Sequence, residues 1–262
     1  MLIEFYRFKD WYTSIGIFIV GLTMNLNILS LFSLIIPVLI AAHIFSINSY
    51  FDYFIKKEKN IVNDLHKKYS KRFLFFLCVL PLFFLFIYPY SNLRIIFLVI
   101  LLIVLADSYS CPPTRFKENG ILGLVINSIC GAILFLIGYF QNNEFLTQES
   151  IFLSIIFFNY VMLNEILHQL SDPNEVSNSL PKILSFKNTE KLTKIVILIT
   201  LFIGIIYSFF FYLPYSFISI IFSLLRFRRL SKTKNYKWLR GHLFGLHEGI
   251  FYLLLNFSII LL

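Results

Sequence analysis

The chain is a succession of apolar runs, each close to the thickness of a lipid bilayer, separated by short polar loops. A helix needs about 20 mostly apolar residues to cross a hydrocarbon core of about 30 Å. Nine stretches approach that requirement: 11–26, 28–51, 73–88, 93–108, 121–140, 151–170, 195–213, 215–225 and 243–262. Only 14% of the 262 residues are charged and 58% are hydrophobic, whereas soluble domains carry roughly 25% charged residues. Soluble α/β, disulfide-rich secreted and disordered chains are excluded, and so is the strict alternation of a β-barrel. The expected class is all-α and polytopic, with one membrane domain spanning 1–262 and no soluble appendage.

Lysine and arginine decide between nine spans and eight. The stretch 195–225 is interrupted only by Pro214, and as one straight helix it would reach about 46 Å at 1.5 Å per residue. With nine spans, every one of the 23 basic residues except Arg94 falls on the side of the N-terminus. Merging spans seven and eight would carry Arg226, Arg228, Arg229, Lys232, Lys234, Lys237 and Arg240 to the other side. Cytoplasmic loops are the basic ones, so the nine-helix count and a cytoplasmic N-terminus are expected together. The net charge of +9 then describes a basic membrane face rather than a nucleic-acid surface. Glu4, Arg7, Lys9 and Asp10 precede the first apolar run and no small-residue cleavage site follows, so a cleaved signal peptide is not expected. A bacterial or archaeal inner membrane is the expected location.

Polar groups at helix ends on that basic face are where chemistry is expected. At the end of span two, Asn48, Asp52 and Lys56 recur every four residues and share one helix face. At the matching end of span six, Glu165, His168 and Asp172 lie on one stripe. Between spans four and five runs Tyr109-Ser-Cys-Pro-Pro-Thr-Arg115-Phe-Lys117-Glu-Asn-Gly120. There a proline pair ends the helix, and Arg115 and Lys117 are available to anions. Carboxylates on two helices suit Mg²⁺, which is commonly held by one or two carboxylates together with substrate phosphates. A long hydrocarbon tail would lie in the bilayer beside such a site, so a lipid-tailed diphosphate matches both halves.

Three motifs in this order resemble those of the UbiA superfamily of intramembrane prenyltransferases. Asn48 and Asp52 fall in register with a first Asp-rich motif, N-D-x-x-D-x-x-x-D. Glu165, His168, Asp172 and Ser179-Leu180-Pro181 fall in register with a second. Tyr109, Ser110, Pro112, Pro113, Arg115, Lys117 and Gly120 match the signature Y-S-x-P-P-x-R-x-K-x-x-G. The resemblance extends over essentially the whole chain and implies nine helices around a central cavity. It implies Mg²⁺-dependent transfer of a prenyl group from a polyprenyl diphosphate to an acceptor, commonly aromatic. Asp52, Glu165 and Asp172 would hold Mg²⁺ with Asn48 as a neutral oxygen donor, and Asn48, Lys56, Tyr109, Arg115 and Lys117 would bind the diphosphate. Asp52, Asp172 and His168 are the candidate catalytic groups.

The chain departs from the pattern at several places. Ser49 and Lys56 stand where aspartates are usual, His168 replaces a further one, and Val176 occupies a glycine position. Lys56 either supplies positive charge to the diphosphate in place of a second metal or opens the surface run Lys56-Lys57-Glu58-Lys59. The same departures leave open a member that binds an isoprenoid lipid or a partner without transferring it. Among other polar residues, His43 is expected to be a packed or hydrogen-bonded core group, and Asp107 to orient Arg115 or reach interfacial water. His242, His247 and Glu248 lack the H-E-x-x-H order of a zinc protease. Cys78, Cys111 and Cys130 have no spacing that suggests a disulfide framework or zinc site.

Overall fold

The computed structural model describes residues 2–24, 28–57, 60–90, 92–174 and 176–211, with Leu224, Arg228 and Tyr236. A short α1 (Leu2–Phe5) and a 3-10 turn (Phe8–Asp10) lead into α2 (Tyr12–Thr23). A 3-10 segment (Ile28–Leu34) precedes α3 (Ile35–Lys56), and a small α4 (Ile61–His66) sits before α5 (Lys71–Ile87). Then come α6 (Leu93–Ser110), a 3-10 turn (Phe116–Glu118), α7 (Gly120–Tyr139), α8 (Gln148–Ser171), α9 (Leu180–Leu184) and α10 (Phe186–Phe211). Among the described residues there is no strand, and one isolated bridge joins Asn119 to Asn178.

The helix starts are written into the sequence as capping residues, whose side chains satisfy backbone N–H groups that have no partner within the helix. Asn60, Ser70, Asn92 and Asn119 cap α4, α5, α6 and α7 in this way. Thr147 and Ser150 exchange reciprocal hydrogen bonds at the start of α8, the arrangement of a capping box.

The first seven expected spans correspond to α2, α3, α5, α6, α7, α8 and α10; the eighth and ninth lie outside the described residues apart from Leu224. Among the described residues, four stretches are long and apolar enough to cross a bilayer: Ser30–Lys56, Leu93–Ser110, Gly120–Tyr139 and Gln148–Ser171. The second span differs in detail from expectation, since it opens in a 3-10 segment and continues as α-helix to Lys56. The polar residues at 48, 52 and 56 therefore stay in helical register.

Helix α7 is the centre of the packing and touches α2, α6 and α8. It meets α2 at a backbone-to-backbone crossing. A Cβ on Gly21 would lie 2.2 Å from the Phe135 carbonyl oxygen, and one on Gly138 would lie 2.2 Å from the Phe18 carbonyl oxygen. Small residues are what allow helices in lipid to approach this closely, because packing there must supply what the hydrophobic effect does not. The largest buried cluster is assembled around this crossing and includes Phe18, Leu22, Phe135 and Tyr139. Large apolar side chains such as Phe83, Phe86, Phe97, Phe202 and Phe209 point outward, as a bilayer requires and water would penalise. The chain is an integral membrane protein.

Candidate functional site

The end of α3 carries the first half of the site. Helical spacing of four residues sets Asn48 and Asp52 one above the other, and both meet the loop that follows α6. The Asn48 Oδ1 accepts hydrogen bonds from Lys117 Nζ at 2.7 Å and from Ser110 Oγ at 3.1 Å. The Asp52 carboxylate is buried. Its Oδ1 accepts from Arg115 Nη2 at 2.9 Å and also from Lys117 Nζ. Burial lowers the Lys117 pKa from its ordinary value, and the Asp52 charge works against that shift.

The loop delivers Arg115 inward through an unusual backbone. Arg115 has φ 44° and ψ 49°, in the left-handed region, which is uncommon for a residue with a side chain and is held only where the surroundings enforce it. Here its N–H bonds the Cys111 carbonyl at 2.9 Å, and its guanidinium is clamped by Asp52 and Glu118. One guanidinium nitrogen, Nη1, is buried without a hydrogen-bond partner among the described residues. An orphaned buried donor of this kind costs about 1–3 kcal/mol, more when charged.

Glu118, which motif spacing did not single out, ties the site together. It pairs with Lys56 at 2.7 Å and Arg115 at 3.1 Å, and it accepts from Ser177 Oγ at 2.6 Å. Burial works to raise its pKa, but hydrogen bonds from Lys56 and Ser177, the Lys56 charge and Arg115 prevail and hold it at about 2. Backbone bonds from Gly120 N to Asn178 O (2.8 Å) and from Asn178 N to Glu118 O (3.1 Å) sew the same loop to the segment after α8. Gly120 is required at this seam: a Cβ there would meet the Asn178 carbonyl oxygen at 2.6 Å.

The second half sits on α8. Glu165 is buried and neutral amides bind it: Asn127 Nδ2 donates to Oε2 at 2.9 Å and Gln169 Nε2 to Oε1 at 3.3 Å. Gln169 also reaches the Gly120 carbonyl at 3.1 Å and accepts from Leu180 N at 2.9 Å. His168 is half-buried and Asp172 is exposed at the end of the helix.

Between the halves lies a cavity of about 370 Å³. Asn48, Tyr109 and Ser110 line it on one side and Asn127, Asn164, Glu165 and His168 on another, with Ile40, Leu102, Leu134 and Val161 between. Of the residues singled out in the sequence, the structure brings Asn48, Asp52, Arg115 and Lys117 into direct contact, and places Tyr109, Glu165 and His168 on the cavity wall. Lys56 joins through Glu118, and Asp172 is not among the cavity-lining residues. Two smaller expectations are settled. His43 is buried and bonds the Cys78 carbonyl and Asp107, each at 2.9 Å. Asp107 is therefore the partner of His43, not the residue that orients Arg115, because Asp52 and Glu118 already occupy that guanidinium. The sequence reading missed Glu118, Asn127 and Gln169. The only signal for the last two was amide side chains inside apolar helices.

Asp52, Glu165, Asp172 and Asn48 were expected to share a metal. Among the described residues no three His, Cys, Asp or Glu side chains gather where they could hold one, since Asp52 is drawn to Arg115 and Lys117 and Glu165 to its amides. Of these hard-oxygen donors, Asn48 and Glu165 line the cavity from two helices, whereas Asp52 and Asp172 are not among its lining residues. That set fits an Mg²⁺ ion that arrives with phosphate oxygens, which needs only one or two protein carboxylates, and does not form an all-protein cage.

The fold matches solved structures along its whole length. A UbiA homolog from Archaeoglobus fulgidus bound to GPP and Mg²⁺ aligns with TM-score 0.81 at 14% identity, covering 100% of this chain and 99% of that one. The same homolog bound to DMAPP and Mg²⁺ aligns with TM-score 0.80 at 14% identity, over 99% and 98% of the two chains. A digeranylgeranylglyceryl phosphate synthase structure aligns with TM-score 0.60 at 17% identity, over 99% and 94%. At such identities the likeness establishes the fold alone. No curated protein sequence matches the chain. The sequence profile of the UbiA prenyltransferase family, by contrast, matches residues 11–244, and the chain belongs to that family.

Proposed function

We propose that the protein transfers a prenyl group from a polyprenyl diphosphate to an acceptor within the membrane, with Mg²⁺ as cofactor. The observation that carries this reading is the charge state around Arg115. Asp52 pairs with both Arg115 and Lys117, Glu118 pairs with Arg115, and Arg115 retains a buried donor with no partner among the described residues. The clustered cations and the orphaned N–H both call for an anion with several acceptor oxygens. A diphosphate supplies one, and the apolar wall beside it suits the attached chain. The bound GPP and DMAPP named for the Archaeoglobus fulgidus homolog are of this chemical class.

In this reading Asn48, Lys117 and Arg115 bind and orient the diphosphate. Asp52 holds the two cations in place and, with Glu165 and Asp172, supplies carboxylate oxygens for Mg²⁺. Mg²⁺ when bound neutralises charge that develops on the departing diphosphate. Arg115 and Lys117 add preorganised donors to the same oxygens, the kind of electrostatic stabilisation that dominates such reactions. The rings of Phe45 and Tyr109 line the cavity, where their faces attract the allylic cation left behind. His168 and Asp172 are the available proton acceptors. The basic loops face the cytoplasm by the charge bias of the sequence.

The test is thermal stabilisation of the purified protein by geranylgeranyl and longer polyprenyl diphosphates, with and without Mg²⁺. A ligand that binds only the folded state raises its stability by mass action. Stabilisation that depends on Mg²⁺, on Asp52 and on Glu165 is expected. A folded protein that no chain length stabilises would favour the second reading, a family member that no longer transfers; the pre-engaged Asp52 carboxylate is the observation in its favour.

A further inference from the structure

The corner where α9 meets α10 carries an apolar and basic surface that the prenyl-transfer reading does not use. One side of α9 is fixed inward. Leu180 and Pro181 are buried, and Lys182 Nζ donates to the Val176 and Ser177 carbonyls at 2.9 and 3.3 Å. The other side is open: Ile183, Leu184 and Phe186 are 48%, 38% and 49% exposed. Ser185 makes the break between the two helices, with φ 74° and ψ 155°, a region essentially confined to glycine unless the surroundings enforce it. Its carbonyl accepts from Thr189 N at 3.0 Å and from Thr189 Oγ1 at 2.9 Å, so the first turn of α10 holds the corner in place.

This surface continues into the outward stripe of α10. Lys187 and Lys191 are exposed, as are Ile195, Leu198, Phe202 and Phe209. At 3.6 residues per turn these six side chains fall within an arc of about 80°. From Ile195 onward the arc is apolar and faces hydrocarbon. At 1.5 Å per residue, Lys191 stands about 6 Å and Lys187 about 12 Å further along the axis. The head-group layer is about 5–8 Å deep on each side of a bilayer. Lys191 is therefore at the depth of the lipid phosphates, and the long stem of Lys187 reaches the same layer. Neither lysine has an ion-pair partner among the described residues. The first turn of α10 contains no acidic residue, and a cation at that end of a helix opposes the helix dipole. These charges gain nothing from the helix that carries them and are complementary to an anion outside it.

The exposed apolar side chains would be penalised in water, and lysines at phosphate depth are attracted to a leaflet of net negative charge. We propose that the α9–α10 corner is a docking site for an anionic phospholipid on the basic side of the membrane. Ile183, Leu184 and Phe186 enter the acyl boundary, and Lys187 and Lys191 hold the phosphate of the head group. The site adjoins the seam of the cavity loop, since Lys182 holds the segment whose Ser177 bonds Glu118. Lipid binding there does not depend on prenyl transfer.

The experiment places the full chain in nanodiscs of phosphatidylcholine alone, or of equal parts phosphatidylcholine and phosphatidylglycerol, and reads the melting temperature. Short-chain phosphatidylglycerol titrated into the detergent-purified protein gives the affinity. Phosphatidylglycerol should raise the melting temperature of the wild type above its value in phosphatidylcholine. Lys187→Gln combined with Lys191→Gln should weaken the short-chain lipid by about fivefold for each lysine removed and abolish most of the rise. Arginine at both positions should preserve both effects. Lys67→Gln combined with Lys68→Gln removes the same charge elsewhere on the basic face and should change neither. Insertion is read separately: Phe186→Trp should be quenched by lipids brominated near the head group, beyond the quenching of the two native tryptophans. The proposal is overturned if the two lipids act alike on the wild type, or if the Lys187 and Lys191 double variant keeps its affinity. It is overturned equally if the Lys67 and Lys68 variant loses as much, which would mean a general attraction to the basic face. Absence of added quenching at Phe186→Trp would also overturn it, placing the corner in water and favouring an acidic protein partner. The comparison of the two lipids on the wild type needs no variant to fold.

Discussion

Lys56 and Glu118 form an ion pair at 2.7 Å that joins the end of α3 to the loop after α6. In the sequence Lys56 opens a run of surface lysines or replaces a metal at the diphosphate. The structure gives it a third situation, in which its charge is shared with a carboxylate that also holds Arg115 and Ser177. Lys117, in contrast, is bonded directly to Asn48 and Asp52.

This difference predicts unequal effects on donor binding. Lys117→Ala should weaken polyprenyl diphosphate binding by about tenfold or more, the loss of one charge-assisted contact. Lys56→Ala should cost about threefold or less, in line with a partly exposed, already paired charge. Titration of each variant with the diphosphate checks the order, and equal losses would restore a direct phosphate role for Lys56.

Glu118 makes the site sensitive to acid. Its pKa of about 2 in the folded protein lies below the ordinary 4.5, so the folded state binds fewer protons than the unfolded state between those values. The stability it contributes is complete above about pH 4.5 and is lost as pH falls through about 2. Measured as the stability difference between wild type and Glu118→Gln, the contribution should shrink steadily across that window. A pH-independent difference would mean that the carboxylate is not held as its partners imply.

Asp52→Asn should act on stability and on metal dependence together. Removing the carboxylate leaves Arg115 and Lys117 facing each other, and breaking a buried pair costs about 3–5 kcal/mol. The unliganded variant should melt at lower temperature than the wild type. A polyprenyl diphosphate with Mg²⁺ should stabilise the variant less than it stabilises the wild type, because a carboxylate that would help to hold the ion is gone. Melting curves with and without Mg²⁺ decide this.

The crossing of α2 and α7 should tolerate no added carbon. Gly138→Ala places a methyl 2.2 Å from the Phe18 carbonyl oxygen, and backbone on both sides cannot yield as a side chain does. Overpacking of this kind costs about 1–3 kcal/mol. Gly131→Ala meets the Val161 side chain instead, at 2.4 Å, and should be milder. Thermal melts of the two variants compare the sites.

The sequence by itself determined the membrane class, the positions of the first seven spans and the three polar segments. Those features depend on local periodicity and on the charge asymmetry of loops, which one strand of text displays. Register along α3 was legible for the same reason: Asn48 and Asp52 had to share a face once the helix continued through them. Only the tertiary structure decided which side chains meet. Asp107 was a neighbour of Arg115 in sequence, yet it pairs with His43 across 64 residues, and Arg115 turns through a left-handed backbone to Asp52, 63 residues away. Pairing of charges is set by three-dimensional distance and burial, which sequence spacing does not contain. Glu118, Asn127 and Gln169 escaped notice because each belongs to no spaced pattern. They matter through partners on other helices, brought within hydrogen-bond reach when α3, α7 and α8 close around one cavity.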